Sequence, residues 1–213
     1  MEAARMLPPA AAPGLRIGLF GGSFNPPHEG HRLVALQCLR RLRLDRIWVL
    51  VSPGNPLKDP GELAPLAERV AATRAVMRHP RIEVTDFEAA RGFRYSWQTV
   101  AFLTRSRPAT RFVWLMGGDS LVSFDRWARW QDIAQALPMA VYARPGAGSG
   151  ATRGRAALAL ARYRLPEERA ATLPDATPPA WVYLTGVTSA QSSSALRRAV
   201  ALHNRRPDPI IGA

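Results

Sequence analysis

The sequence predicts an α/β fold of the Rossmann-like, doubly wound kind: a single domain on a mainly parallel sheet with helices on both faces. Three observations predict it. Short apolar runs alternate with segments of helical periodicity along the chain. Two of those runs end in diglycines, Gly21-Gly22 and Gly117-Gly118. The length of 213 residues, 47% of them apolar or aromatic, suffices for one substantial core and is short for two. Parallel strands need crossover connections, which are usually helices, and ligands of such sheets bind beyond the carboxyl ends of the strands.

The elements follow in order. Residues 1–14 carry prolines and charges without periodicity and are expected to form a disordered tail ahead of a domain over 15–213. Residues 16–20 (RIGLF) form a first buried strand and 28–42 a helix. Residues 46–52 (RIWVLVS) read as a second buried strand, running into the turn residues Pro53, Gly54, Asn55 and Pro56. A helix over 63–79 and an alternating strand over 82–87 repeat the step. Then come a helix over 96–105, a buried strand over 111–116 (RFVWLM), a short helix over 130–137 and a strand over 139–143. Residues 145–154, rich in Gly, Ala and Ser, read as a mobile loop, 155–163 as a helix and 174–179 as a surface connection. A last strand over 181–184 and a last helix over 195–203 complete the chain, with no internal repeat.

Composition narrows the function classes. No apolar run approaches the roughly 18 to 20 residues that a membrane-spanning helix needs, and the opening stretch has charges where a signal peptide carries its apolar block. A soluble, cytoplasmic protein with no membrane partner is expected. The one cysteine, Cys38, falls among Leu36, Leu39 and Leu42 at helical spacing and reads as core; a reducing compartment suits it. The net charge of +13 raises nucleic acid as a partner. Against that, the 29 basic residues include a single lysine, Lys58, and the arginines are dispersed through Ala- and Pro-rich sequence. The excess therefore reads as a solvated basic surface, and a basic cleft would favour a polyanionic substrate. The oligomeric state stays open, a homo-oligomer included.

The densest chemistry lies in Gly21-Gly22-Ser23-Phe24-Asn25-Pro26-Pro27-His28-Glu29-Gly30-His31. Two glycines after a buried strand let the backbone turn sharply and let a ligand come close, and prolines suit a helix about to start. His28 and His31 are three apart, hence on one face of the first turn, where the helix dipole and two imidazoles can meet phosphate oxygens. A zinc site is the weaker competitor, because His-x-x-His supplies only two ligands. At the far end, Ser192, Ser193 and Ser194 open a helix whose first turn carries Arg197, a plain N-cap or a second phosphate grip. Lys58 follows the second strand, at the correct end of the sheet to reach a phosphate with a compact charge. Gly117-Gly118-Asp119 ends the fourth strand, where a carboxylate either accepts from ribose hydroxyls or caps the next turn.

With these residues in view, the segment Gly21 to His31 resembles the nucleotide-binding motif of the HxGH nucleotidyltransferases and is most similar to the bacterial nicotinate-nucleotide adenylyltransferases. The resemblance runs over about residues 16–205. It implies an ATP site made by Gly21, Gly22, Ser23, Phe24, His28, His31, Gly117 and Asp119, closed by Ser192, Ser193, Ser194 and Arg197, which match the family's ISSTxIR signature with Gln191, Ser194 and Leu196 replacing its usual residues. It implies a nicotinate-nucleotide site bordered by Asn25, Lys58, Tyr95, Ser96, Trp127 and Ala128, the tryptophan stacking on the nicotinate ring and backbone near Ala128 holding its carboxylate. Tyr95-Ser96 matches the family's SYTxDT segment loosely, with Arg94 and Gln98 in place of serine and aspartate, and a helix start capped by Ser96 is the plain alternative. The implied reaction joins ATP and nicotinate mononucleotide, with Mg²⁺ on the phosphates and His28, His31, Lys58 and Arg197 as the catalytic set. Two other readings stay open. One keeps the fold and changes the acceptor to nicotinamide mononucleotide, pantetheine phosphate or another phosphate; the other is a basic nucleic-acid-binding protein, which would bind in a salt-sensitive way and turn over no ATP.

Overall fold

The computed structural model describes residues 7–54, 63–143 and 150–187. These form a seven-stranded sheet of β1 (Arg16–Gly22), β2 (Arg46–Val51), β3 (Ile82–Thr85), β4 (Arg111–Gly117), β5 (Met139–Tyr142), β6 (Arg164–Leu165) and β7 (Trp181–Leu184), in the order β3-β2-β1-β4-β5-β7-β6. Every neighbouring pair is parallel. The helices are α1 (Glu29–Arg41), α2 (Leu66–Val76), α3 (Phe87–Ala90), α4 (Ser96–Ser106), α5 (Gly118–Val122), α6 (Trp130–Ala136) and α7 (Arg155–Ala159), with 3₁₀ turns at Phe124–Arg126, Ala151–Arg153, Ala161–Tyr163 and Glu167–Asp175. The fold is the Rossmann-like α/β class that the alternation of apolar runs predicts.

Alternation along each strand sends side chains to two cores. On one face Ile17, Leu19, Trp48, Phe112 and Trp114 pack with Val100 and Leu103 of α4 and Ile133 of α6. On the other, Phe20, Ile47, Val49, Val113 and Leu115 pack with Val34, Cys38 and Leu39 of α1 and Val70 of α2. Cys38 is core, and burial pushes its thiol up to about 12, with Arg41 opposing. Strand order reverses at β1, whose neighbours are β2 and β4. The register pairs Phe20 with Leu115, which brings the strand ends Gly22 and Gly117 level. The loops leaving those two ends open the crevice in which doubly wound sheets bind ligands.

Several expected boundaries move, each for a tertiary reason. Of the tail expected over 1–14, residues 7–14 are described: Pro8 is buried, Ala11 packs against the first core and the Gly14 N–H donates to the Ala109 carbonyl at 2.8 Å. Phe87 does not end β3; its N–H donates to Thr85 Oγ1 at 3.2 Å and it opens α3 with its ring buried. The helix expected over 63–79 contracts to α2: it starts only after Pro65, its N-cap at ψ 140°, and ends at Val76, with Met77 as its C-cap. The helix expected over 155–163 is broken at Leu160, whose carbonyl accepts from the Trp181 indole at 2.8 Å. β6 and the 3₁₀ segment at Glu167–Asp175 were not expected, and the surface connection expected at 174–179 begins inside that segment, with Pro174 buried. In the loop expected over 145–154, Ala151–Arg153 forms a turn and Ala151 is buried; the helix expected over 195–203 lies outside the described residues.

Candidate active site

The loop after β1 carries both histidines. His28 is the N-cap of α1, a 13-residue helix, in extended conformation, and its N–H donates to His31 Nδ1 at 3.3 Å. The third residue of the helix thus reaches back to the cap, as in a capping box. Accepting at Nδ1 makes Nε2 the protonated nitrogen of a neutral His31 ring. The rings lie 3.9 Å apart, centroid to centroid, tilted by 39°, and His31 packs on Phe24 at 5.0 Å. The arrangement brings two imidazoles to the N-terminal end of a 13-residue helix, where the helix dipole favours phosphate.

The glycines act differently from the expectation. Gly21 and Gly22 still belong to β1, and the left-handed residue of the loop is Phe24, at φ +45°. A buried ring packed edge-on against Phe20 holds Phe24 there. The two glycines serve close approach instead: a Cβ on Gly21 would lie 3.2 Å from the Trp114 indole, and one on Gly22 3.1 Å from the Phe24 ring. Buried Asn25 accepts the Ala64 N–H on Oδ1 at 3.2 Å, and Ser52 N–H donates to the Gly22 carbonyl at 3.0 Å, so the loops after β1 and β2 are joined.

Gly117 ends β4 and caps α5, and Asp119 stands exposed in the first turn of that helix. Trp127 is half-buried, nearly perpendicular to Trp114 at 6.3 Å and to Phe124 at 5.4 Å. Trp114 therefore touches both Gly21 and Trp127, linking the histidine loop to the expected ring platform. Ala128 is exposed beside it. Arg129, at φ +54°, stacks over Trp97 at 4.4 Å and fastens the start of α4 to this segment. Ser96 does not cap α4. Tyr95 is the cap residue, and Gln98 Oε1 accepts from the N–H groups of Arg94 at 2.8 Å and Tyr95 at 3.0 Å. Lys58, Ser192, Ser193, Ser194 and Arg197 lie outside the described residues.

Two residues that matter here were missed by the sequence reading. Arg69 is buried in α2 with its guanidinium on backbone carbonyls, and the available signal was its place on the helical stripe shared with Val70 and Thr73. Glu88 is buried in α3, where its Oε1 accepts from Thr99 Oγ1 at 2.5 Å, behind the Tyr95–Ser96 turn. Burial raises the Glu88 carboxyl above its ordinary range, and the Thr99 hydroxyl partly opposes the rise. The folded chain then keeps a proton that the unfolded chain releases near pH 4.3, so this group's stabilising contribution is complete below about pH 4 and is lost as pH climbs through the raised value. Glu88→Gln is expected to abolish that loss: the thermal midpoint of the variant relative to the parent should improve steadily with rising pH. A pH-independent difference would show that Glu88 does not titrate as described.

Comparison with known proteins matches residues 19–199 to the cytidylyltransferase-like family model. A probable nicotinate-nucleotide adenylyltransferase of a Bradyrhizobium species is 55% identical over 86% of this chain and 95% of its own. One of the same name from Methylorubrum extorquens is 55% identical over 86% of this chain and 99% of its own. Among solved structures, the Plasmodium falciparum nicotinic acid mononucleotide adenylyltransferase complexed with NaAD superposes with a TM-score of 0.65 at 14% identity, covering 86% of this chain and 83% of that one, a likeness of fold.

Proposed function

The chain belongs to the cytidylyltransferase-like family and, within it, to the nicotinate-nucleotide adenylyltransferases, and from that membership we propose that it joins the adenylyl group of ATP to nicotinate mononucleotide in NAD biosynthesis. The observation that carries the reading is the close pair His28 and His31, ring centroids 3.9 Å apart, at the head of α1, beside the crevice where strand order reverses. The nicotinate mononucleotide phosphate attacks the α-phosphorus of ATP in line. One P–O bond forms, the bond to the bridging oxygen breaks, and pyrophosphate leaves, with no covalent enzyme intermediate. The nucleophile is already an anion, so the protein's work is to align two polyanions and offset their repulsion. His31 Nε2–H and the amides at the start of α1 donate to phosphate oxygens as charge builds, with His28 at the same turn. Gly117 and Asp119 border the adenosine, and Trp127, Ala128, Asn25, Tyr95 and Ser96 border the nicotinate nucleotide. Lys58, Arg197 and Ser192 to Ser194 complete the phosphate grip on the strength of the sequence motifs alone. The residues assigned to the phosphates are donors and not a carboxylate cluster, which suits Mg²⁺ arriving on ATP as part of the substrate, where it would neutralise phosphate charge. Among the described residues no helix is long and apolar enough to cross a membrane, and we place the reaction in the cytoplasm.

Pyrophosphate release with ATP and each of nicotinate mononucleotide, nicotinamide mononucleotide and pantetheine phosphate tests the reading. The first acceptor is expected to lead in kcat/KM by roughly tenfold or more, because an amide cannot replace a carboxylate on donors arranged for it. Equal rates would remove the selectivity, and no release with any acceptor would remove the reaction.

A further inference from the structure

Arg69 is 3% exposed, and its guanidinium ends on four backbone carbonyls. Nη1 donates to Ser23 and to Ser52, each at 2.8 Å, Nη2 to Pro53 at 3.3 Å and Nε to Ala64 at 2.9 Å. Among the described residues no carboxylate pairs with it. Ser23 belongs to the loop that leads to His28, while Ser52 and Pro53 open the loop after β2, toward Lys58. We propose that Arg69 is a positioning residue for the adenylyl transfer, a clasp that fixes the spacing of the loops after β1 and β2 and so sets where the histidines meet phosphate. This rests on the function proposed above.

The chemistry favours the clasp over plain packing. A buried cation facing only carbonyl dipoles is costly, and an apolar residue would fill the same helical position at less expense. What only a guanidinium supplies is a planar fork that reaches several carbonyls at fixed angles. Its charge also raises the potential beneath loops that must receive polyanions. The Asn25 bond to Ala64 closes the same circuit from the opposite side.

The test compares Arg69→Met, Arg69→Lys and a control, Thr73→Val. Thr73 Oγ1 donates to the Arg69 carbonyl at 2.6 Å, so the control loses a buried bond in the same helix and leaves the fork intact. Each protein is assayed well below its thermal midpoint for kcat and KM, and amide hydrogen exchange is followed in residues 23–28 and 52–54. Arg69→Met should lose kcat by roughly tenfold to a hundredfold, the scale of a small misplacement of catalytic groups, and both loops should exchange faster. Arg69→Lys, which keeps the charge, should fall between. Thr73→Val should lose stability with kcat near the parent value. A folded Arg69→Met with parental kcat and exchange overturns the proposal, and so does a kcat loss in Thr73→Val that matches its loss of stability. Should Arg69→Met not fold, parental kcat and exchange in Arg69→Lys overturn it. If the parent makes no dinucleotide from nicotinate mononucleotide, the functional reading fails, and faster exchange in both loops alone decides whether the clasp exists.

Discussion

Replacement of His31 by alanine is expected to lower kcat by roughly 10²- to 10³-fold, the loss seen when one preorganised donor to a developing oxyanion is removed. The thermal midpoint should move by only about 2 to 4 °C for a chain of this size, given a cost near 1 kcal/mol. The disparity follows from where the ring sits. His31 is only partly buried and packs on Phe20, Phe24 and His28 at the rim of the second core, so its removal costs little packing. Nδ1 accepts from the His28 N–H, and in the proposed reaction Nε2–H is the nitrogen that meets phosphate. His31→Gln, which keeps an N–H donor at similar reach, should recover part of the loss. Near-parental turnover in His31→Ala, measured as pyrophosphate release at saturating ATP and nicotinate mononucleotide, would refute the role given to this ring.

Trp127→Ala is the second large effect. Stacking of a flat heterocycle on an aromatic side chain contributes about 1 to 3 kcal/mol, so the KM for nicotinate mononucleotide should rise roughly fivefold to 150-fold. The KM for ATP should stay near its parent value, since the proposed contacts of the adenosine, at Gly117 and Asp119, do not include this ring. Trp127 also packs on Trp114 and Phe124, so the variant will be less stable and the comparison must be made well below its midpoint. Trp127→Phe retains a flat ring and should restore most of the affinity. Equal increases in both KM values would mean that the tryptophan supports the crevice as a whole and does not select the acceptor.

The parts of the fold legible in the sequence are those with a local physical signature. The strands buried on both faces, such as β2 with Ile47 to Val51 wholly inside, show as unbroken apolar runs. The helix α1 shows as an apolar stripe at helical spacing, opened by prolines and histidines. What the sequence conceals depends on distant partners. The break at Leu160 answers to the indole of Trp181, and the 3₁₀ segment around Glu167 is held by Arg41 at 2.7 Å and by Thr185. The site divides in the same way. The pairing of His28 with His31 follows from helical spacing, whereas the fork of Arg69 across two loops, and the turn of the chain at Phe24 in place of the glycines, exist only once the sheet has formed.

The most direct measurement is the position of the dinucleotide product in the folded protein. A crystal structure with nicotinate adenine dinucleotide bound should show its pyrophosphate against the start of α1 within hydrogen-bonding reach of His31 Nε2, its adenosine beside Gly117 and Asp119, and its nicotinate ring against Trp127. Product bound away from the crevice between the ends of β1 and β4, with both imidazoles untouched, would contradict the account.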